Sequence, residues 1–261
     1  MTAPALPRRR FAVLAESLVL VGRSIRLSRR DVETLVMSIA LPLMMMALFV
    51  YVFGGAIETG GAYLTYVVPG IVLLCVGFGA ASTAPAVADD MDRGMVDRLR
   101  SMPVAASALV AGHVVASVAR NALATAVVVA AAVAMGFRPD AGPLEWAAAL
   151  GLLLLYVLAL SALAAGLGAL ASSVQSASAL TFFMLFLPYL SSAFVPTGTM
   201  PAALRAVAEH QPITPVIETV RGLLTGAPIG ASGWAAVLWC TGLLIVSSAF
   251  AGWAYRRRTH R

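Results

Sequence analysis

The acidic and histidine side chains of this chain are too scattered to form a catalytic constellation. The 261 residues include twelve Asp and Glu and three His. None of the acids lies inside a long apolar stretch, whereas a membrane enzyme ordinarily shows buried or interfacial acid–base groups. We therefore expect no catalytic residue and no metal site. The acids are Glu16, Asp31, Glu33, Glu58, Asp89, Asp90, Asp92, Asp97, Asp140, Glu145, Glu209 and Glu218.

All 18 basic residues are arginine, and the lack of lysine excludes two kinds of chemistry. A P-loop needs lysine in the pattern G-x-x-x-x-G-K-[ST], and a Schiff base needs a lysine amine. Cys75 and Cys240 lie in apolar stretches, where a thiol is usually a small buried side chain. We expect no cofactor in this chain. If ATP drives the protein, another chain binds the ATP and its magnesium.

The segment 89–104 combines clustered charge with an apolar stripe. Met91, Met95, Leu99 and Met102 recur at helical spacing, and the other faces of that helix carry acidic and basic side chains. A flexible methionine-rich stripe framed by charge suits docking into a groove on another protein. The alternative is a solvated helix that only joins two spans, and the residues alone favour this alternative.

Arg120, followed by Asn121, lies near the centre of the third long apolar stretch. An arginine at mid-bilayer costs about 2.5–3.5 kcal/mol on insertion scales, so it should face a cavity, the bundle interior or a partner helix. Its expected partners are carbonyls, water, substrate or a second subunit. The sequence supports a structural bridge between helices and a place in a substrate path equally.

A proline and two serines predict a kink in the fifth apolar stretch. Pro188 removes one backbone hydrogen bond near residues 181–186, and Ser191 and Ser192 can satisfy the released carbonyls. Aromatic side chains beside this kink would form a wall suited to flat or acyl cargo, with lipid-facing aromatics as the alternative. The aromatic residues of this predicted path are Phe182, Phe186, Tyr189 and Phe194.

The composition is that of an integral membrane protein. Apolar residues make up 60% of the chain, charged residues 11%, and the mean hydropathy is +0.89, against about 25% charged residues in an average soluble domain. Because a backbone in lipid must satisfy its own hydrogen bonds, we predict an all-α polytopic fold with six transmembrane helices of about 20 residues or more. The six stretches are 34–54, 65–88, 105–135, 145–171, 177–195 and 233–254.

The remaining segments complete the predicted domain organisation. Residues 1–33 are predicted to form a cytoplasmic amphipathic helix along the membrane interface, before a transmembrane domain at 34–254. Residues 255–261 form a basic tail. The proline-punctuated segment 196–232 is predicted to hold two short external helices that are re-entrant or interfacial.

The arginines predict the orientation of the chain. Seven precede residue 34, three lie in the segment 89–104 and four lie in the tail, whereas only Arg138, Arg205 and Arg221 lie on the other side. The excess of positive charge marks the cytoplasmic face, so both termini are predicted to be cytoplasmic. The net charge of +6 then reflects topology, and we expect no nucleic-acid partner.

Three stretches resemble permease subunits of the ABC-2 family, specifically the daunorubicin/doxorubicin-resistance type. The first is Tyr66-Val67-Val68-Pro69-Gly70-Ile71. The second runs from Ala88 to Pro103 and contains an acidic-basic-Gly pattern, then Arg-Leu-Arg, then proline. The third runs from Leu190 through Met200-Pro201 and Gln211-Pro212-Ile213-Thr214-Pro215 to Arg221. The sequence departs from the family pattern at Gln211 and Asp97.

The resemblance implies six spans per chain, a dimer and a separate cassette ATPase present in two copies. It also implies that the segment 89–104 is the coupling helix that receives force from the ATPase. The coupling residues expected on this basis are Asp90, Arg93, Gly94, Met95, Arg98, Leu99, Arg100 and Pro103.

We therefore expect the permease subunit of an exporter in the plasma membrane of a bacterium, without an ATPase site of its own. The resemblance covers families that move drugs, lipids or glycans, so the cargo stays open, as does the choice of homodimer or heterodimer. An ion-gradient-driven carrier is the alternative, although it should show carboxylates within the membrane. A non-transporting membrane scaffold is a further alternative.

Overall fold

The computed structural model describes residues 32–93 and 106–259, and all regular elements within them are helical. The N-terminal amphipathic helix expected in residues 1–33 therefore lies almost wholly outside the described residues. The α-helices are α1 (Val32–Ala47), α2 (Tyr63–Ala81), α3 (Thr83–Asp92), α4 (Ala106–Ala134), α5 (Pro143–Leu170), α6 (Val174–Phe186), α7 (Ala202–His210), α8 (Ile213–Thr225) and α9 (Ser232–Thr259).

Among the described residues, five helical segments are long and apolar enough to cross a membrane. They correspond to the first, second, third, fourth and sixth predicted stretches, which confirms the all-α class. Their bounds are Glu33–Phe53, Tyr63–Asp92, Val110–Ala134, Pro143–Leu170 and Ser232–Arg258. The first of them ends in a π-helical turn, Leu48–Phe53.

The fifth predicted stretch is shorter than expected. Its apolar helix spans Val174–Leu190, and α6 ends at Phe186 before a 3-10 turn at Leu187–Leu190. Pro188 lies at the start of that turn, where its missing N–H costs little. The predicted kink is therefore wrong: the proline ends the α-helix instead of bending a continuous span.

The second span reaches further than the sequence suggested. A turn at Ser82 separates α2 from α3, and the two helices together form a segment of 30 residues that ends at Asp92. Asp89 and Asp90 thus belong to a helix that packs against α4, α5 and α6. The expectation that acids stay outside the spans is wrong for this helix.

The bundle core is built around α2, and α5 and α9 form its most extensive helix pair. Two glycines of α5 allow neighbouring helices to approach closely. A Cβ at Gly166 would lie 2.5 Å from the Phe250 ring of α9, and one at Gly168 would lie 2.3 Å from the Ala84 carbonyl oxygen of α3. The small residues of α5 therefore pack helices, as such residues commonly do in membranes.

The segment 196–232 contains α7 and α8, so the prediction of two short helices is confirmed. Pro201 precedes α7, and Gly226, with φ +70°, ends α8. One face of α8 packs against α2, α5 and α9. Whether α7 and α8 meet a membrane surface stays a prediction.

We call the two ends of the bundle the Arg258 end and the Arg221 end, after the arginine that joins several segments at each. The Arg258 end contains the end of α3, the end of α5 and Arg258 itself, which are joined by hydrogen bonds. The Arg221 end contains the start of α2, residues 191–194 and Arg221, which are likewise joined.

Candidate functional site

Arg221 joins three segments at the Arg221 end. The side chain is only 10% exposed. Its Nε donates to the Tyr66 carbonyl oxygen at 3.1 Å, its Nη2 to the Ser192 carbonyl oxygen at 2.7 Å, and its Nη1 to Glu218 Oε1 at 2.7 Å. The guanidinium carbon also lies 3.8 Å from the centroid of the Tyr66 ring, a cation–π arrangement. One cation therefore links α8, α2 and the segment that follows α6.

Two tyrosines of α2 hold the same segment. Tyr66 donates its hydroxyl proton to the Ser192 carbonyl oxygen at 2.9 Å, and Tyr63 donates to the Phe194 carbonyl oxygen at 2.8 Å. Gly70 of α2 makes the approach possible, because a Cβ there would lie 2.7 Å from Ala193 backbone atoms. Residues 191–194 are thus held against α2 by two hydrogen bonds to their carbonyl oxygens and by the close backbone approach at Gly70.

The two serines of the predicted path behave differently. Ser191 Oγ donates to the Pro188 carbonyl oxygen and accepts from the Ala193 N–H, so it satisfies backbone groups of its own turn and not the carbonyls near residues 181–186 for which it was predicted. The Ser192 hydroxyl is buried without a hydrogen-bond partner among the described residues. The predicted role of that hydroxyl is wrong, since it is the Ser192 carbonyl that carries the contacts.

The predicted aromatic residues form a continuous row of ring contacts that runs from α6 to the π-helical turn Leu48–Phe53 after α1. Phe182 meets Phe186 edge to face, Tyr189 stacks on Phe194 at 5.3 Å between centroids, and Phe194 stacks on Phe49 at 4.3 Å. Phe182, Phe186 and Tyr189 are exposed, whereas Phe194 is buried. The structure therefore joins these four predicted residues by ring contacts, with three rings exposed and the Phe194 ring buried.

Arg120 and Asn121 lie beside a buried polar group between α2, α4 and α5. Arg120 Nη2 donates to the Gly79 carbonyl oxygen at 3.4 Å. Asn121 donates to the Ser117 carbonyl oxygen at 3.0 Å, and the Ser117 and Ser161 hydroxyls lie 2.8 Å apart. Of the expected partners for Arg120, a carbonyl is therefore confirmed, and Asn121 is turned into the bundle interior.

Polar side-chain contacts connect helices at the Arg258 end. The buried Asp90 Oδ2 lies 3.0 Å from His113 Nε2 of α4, and Asp92 accepts from Arg258 of α9 at 2.8 Å. Arg258 also donates to the Ala171 carbonyl oxygen just beyond α5. These hydrogen bonds oppose separation of α3 from α4, α5 and α9 at this end.

The described part of the predicted coupling segment presents little apolar surface. Met91 is buried against residues of α5 and α9, so the start of the methionine stripe packs inside the bundle. Asp90 faces His113, whereas Arg93 is exposed and pairs with Asp89 at 2.9 Å. The other predicted coupling residues lie outside the described residues. They are Gly94, Met95, Arg98, Leu99, Arg100 and Pro103.

Several residues of these contacts escaped prediction from the residues alone. Tyr63, Tyr66 and Arg221 act through backbone carbonyls that no sequence pattern identifies, although Tyr66 and Arg221 lie in the stretches that carry the family resemblance. His113 and Asp90 are 23 positions apart and meet only through helix packing. The sequence does place a histidine and an acid at the same end of neighbouring spans, and this pattern could have indicated their contact.

These contacts belong to a polytopic helical membrane protein that has a fixed segment at one end and ion pairs at the other. Within residues 32–93 and 106–259, no group of three or more His, Cys, Asp or Glu side chains is arranged to hold a metal ion. The sequence profile of the ABC-2 type transporter family matches residues 16–225, and the chain belongs to this family.

Two curated relatives agree with this assignment. The chain is 28% identical over 251 residues to the daunorubicin resistance ABC transporter permease protein DrrB1 of Streptomyces coeruleorubidus, with 95% of this chain and 86% of the relative covered. It is 24% identical over 246 residues to the probable doxorubicin resistance ABC transporter permease protein DrrC of Mycobacterium tuberculosis, with 94% and 89% covered. The resemblance noted in the sequence is confirmed, and the chain is an ABC transporter permease.

Proposed function

We propose that the chain is the permease subunit of an ABC exporter that moves a hydrophobic or amphipathic cargo, a drug, a lipid or a glycoconjugate. The family match over residues 16–225 carries this proposal, and the drug-resistance names of two relatives favour a drug-like cargo. ATP and magnesium would bind a separate cassette ATPase. The working complex would contain two permease chains and two ATPase chains.

The proposed orientation places the Arg258 end in the cytoplasm of a bacterium and both termini on that side. The arginine-rich last turn of α9, which contains Arg256, Arg257 and Arg258, supports it through the positive-inside rule. The Arg221 end would then face outward, and residues 196–232 with Arg221 would close the outer end of the path.

The proposed entry point for force is the segment 89–104. Arg93 is exposed at the end of α3, where an ATPase could reach it. Asp90 would act behind that surface, because its contact with His113 would pass a movement of α3 to α4. The residues Gly94, Met95, Arg98, Leu99, Arg100 and Pro103 are proposed to complete the docking surface.

The proposed cargo path combines the aromatic row with the polar group beside α4. The exposed rings of Phe182, Phe186 and Tyr189 offer flat apolar contacts, which suit a planar or acyl cargo. Arg120 and Asn121 would line the polar side of the path, with Pro188, Ser191, Ser192 and Phe194 shaping its outer end.

The test is ATP-driven uptake into inverted membrane vesicles that contain the chain and the cassette ATPase that co-purifies with it. Doxorubicin and a fluorescent phospholipid serve as the two cargo probes. We expect uptake that needs ATP and stops with vanadate. Arg98→Glu should abolish this uptake at wild-type abundance, because reversing the charge removes a docking contact.

The matched control is Arg138→Glu, which reverses an exposed arginine at the Arg221 end and should leave uptake unchanged. Normal ATP-driven uptake by Arg98→Glu would refute the coupling assignment. Uptake driven by a proton gradient without ATP would favour the ion-gradient carrier. A chain that supports neither uptake nor stimulated ATP hydrolysis would be a scaffold.

A further inference from the structure

Gln211 lies at the corner between α7 and α8 and reaches the end of α6. Its Nε2 donates to the Leu190 carbonyl oxygen at 2.7 Å and to the Leu187 carbonyl oxygen at 3.2 Å. Both carbonyls belong to the 3-10 turn that follows α6, and the last carbonyls of a helix have no partner within it. One side-chain amide therefore joins the end of α6 to the corner between α7 and α8.

The second half of α6 is held more loosely than the first. The buried residues of α6 are Ala177 and Thr181, whereas Phe182, Phe183 and Phe186 are exposed in the described bundle. Segments with few buried apolar contacts open at low cost in free energy. The end of α6 can therefore move away from its neighbours with little loss of buried apolar surface.

Residues 191–194, which follow the 3-10 turn, are held more strongly. The buried Arg221 guanidinium donates to this segment, and the hydroxyls of Tyr63 and Tyr66 donate to it as well. Hydrogen bonds from a charged donor are roughly twice as strong as those from a neutral one. The amide of Gln211 is neutral, and both of its contacts are exposed. The contacts of Gln211 therefore break before those that fix residues 191–194.

We propose that Gln211 is a positioning residue of the transport cycle. Its amide holds α6 against the corner between α7 and α8, and release of its two hydrogen bonds lets the end of α6 swing about residues 191–194. The 3-10 turn provides the bend, because its hydrogen bonds have poorer geometry than those of an α-helix. The exposed rings of Phe182, Phe186 and Tyr189 move with α6 and open a seam for cargo. This inference rests on the proposed export function and names the contact that opens.

The experiment measures distances between two spin labels by pulsed electron paramagnetic resonance. In a full chain with Cys75→Ala and Cys240→Ala, Phe183→Cys and Glu209→Cys place one label on the exposed half of α6 and one on α7. An excess of unlabelled chain keeps each measured pair within one molecule. The control pair is Trp234→Cys with Glu209→Cys, which joins the exposed start of α9 to α7 and omits α6.

The decisive variant is Gln211→Glu, which keeps the shape of the side chain but replaces the amide donor with an acceptor that repels both carbonyl oxygens. In the purified chain alone, it should raise the ratio of the longer to the shorter Phe183–Glu209 distance about tenfold, because two neutral hydrogen bonds are lost. Gln211→Asn keeps the amide on a shorter stem and should give an intermediate ratio. Ala203→Glu adds the same charge at an exposed position of α7 and should change neither distance.

The complex with the co-purified cassette ATPase tests whether the cycle uses this movement. Trapping the complex with ATP and vanadate should lengthen the Phe183–Glu209 distance when Gln211 is present and leave the Trp234–Glu209 distance unchanged. ATP-driven uptake by the same complex is measured in parallel. If uptake is absent, the proposed export function fails, and the Gln211 variants of the chain alone still decide whether this amide holds α6.

Three results would overturn the inference. The first is a Phe183–Glu209 distance distribution in Gln211→Glu that equals the one with Gln211. The second is uptake that proceeds while the trapped complex keeps the shorter distance. The third is faster labelling of Cys75 and Cys240 by a thiol-reactive dye in a Gln211→Glu chain that keeps both cysteines, since Gln211 would then stabilise the whole bundle and not one seam.

Discussion

Replacing Arg221 with methionine removes the guanidinium that joins α8 to α2 and to residues 191–194. Methionine keeps most of the apolar stem but donates no hydrogen bond. The Ser192 and Tyr66 carbonyl oxygens each lose a charged donor, at 2.7 Å and 3.1 Å in the native contact. Glu218 loses its partner as well.

The expected cost follows from these contacts. Hydrogen bonds to a charged group contribute about 1.5–3 kcal/mol each, so the two carbonyl contacts together account for about 3–6 kcal/mol. The contact with the partly exposed Glu218 adds less than about 1 kcal/mol. A loss of 3 kcal/mol corresponds to roughly a hundredfold larger population of opened molecules.

The two buried cysteines supply the assay. Cys75 of α2 and Cys240 of α9 are the only thiols in the sequence, and both are shielded in the folded chain. A thiol-reactive dye therefore labels them only when the bundle opens. We expect Arg221→Met to speed labelling roughly a hundredfold, and Arg221→Lys to have an intermediate effect because it keeps the charge but not the planar fork.

The control for Arg221→Met is Arg138→Met, whose donors contact the nearby Val133 and Phe137 carbonyl oxygens in the described part of the chain. It should cost no more than about 1 kcal/mol, because Arg138 is exposed and water can replace its hydrogen bonds. Labelling of Arg221→Met at the wild-type rate would refute the idea that this arginine holds the Arg221 end together.

Two further predictions concern buried contacts deeper in the bundle. Gly79→Ala should destabilise the fold by about 1–3 kcal/mol, because its Cβ would lie 2.1 Å from Asn121 Oδ1, and the cost should shrink when Asn121→Ala is also present. Asp90→Ala should cost about 1–3 kcal/mol through loss of the buried contact with His113, whereas Asp89→Ala, which breaks only an exposed pair, should cost less than about 1 kcal/mol. Thermal unfolding in detergent measures all four variants.

Each of these predictions has an outcome that contradicts it. Gly77→Ala, on the same helix but with open space at its Cβ, is the control for Gly79→Ala. Equal effects of the two glycine variants would show that the contact with Asn121 does not limit packing. Equal effects of Asp90→Ala and Asp89→Ala would show that burial of the Asp90 pair adds no stability.

The sequence was sufficient for the helical class because hydropathy over long windows depends on composition alone. It failed at the fifth stretch, where apolar character continues to Val195 but the α-helix stops at Phe186. Pro188 indicates that a backbone hydrogen bond is missing, yet whether the helix bends or ends at that point depends on tertiary contacts. Those contacts come from Arg221 and Tyr66, which are remote in sequence.

Residues of the site could be predicted only where their type is unusual for the stretch of sequence around them. Arg120 was identified because a charge within an apolar stretch demands a partner, and the structure supplies the Gly79 carbonyl. The family resemblance makes Asp90 a coupling residue, and helical spacing cannot reveal which neighbouring helix its face meets. Its burial against His113 follows from the way that α3 packs on α4.

The central claim is that an ATPase docks at the Arg258 end, and site-directed cross-linking tests it most directly. In a chain that carries Cys75→Ala and Cys240→Ala, Arg93→Cys presents one thiol at the end of α3, and Arg138→Cys presents one at the opposite end. A reagent with one thiol-reactive end and one photoactivated end, which inserts into nearby bonds of any protein, is applied to each complex with the co-purified cassette ATPase. Our account predicts a permease–ATPase adduct from Arg93→Cys and none from Arg138→Cys. An adduct from Arg138→Cys alone, or no ATPase bound to the chain, would contradict it.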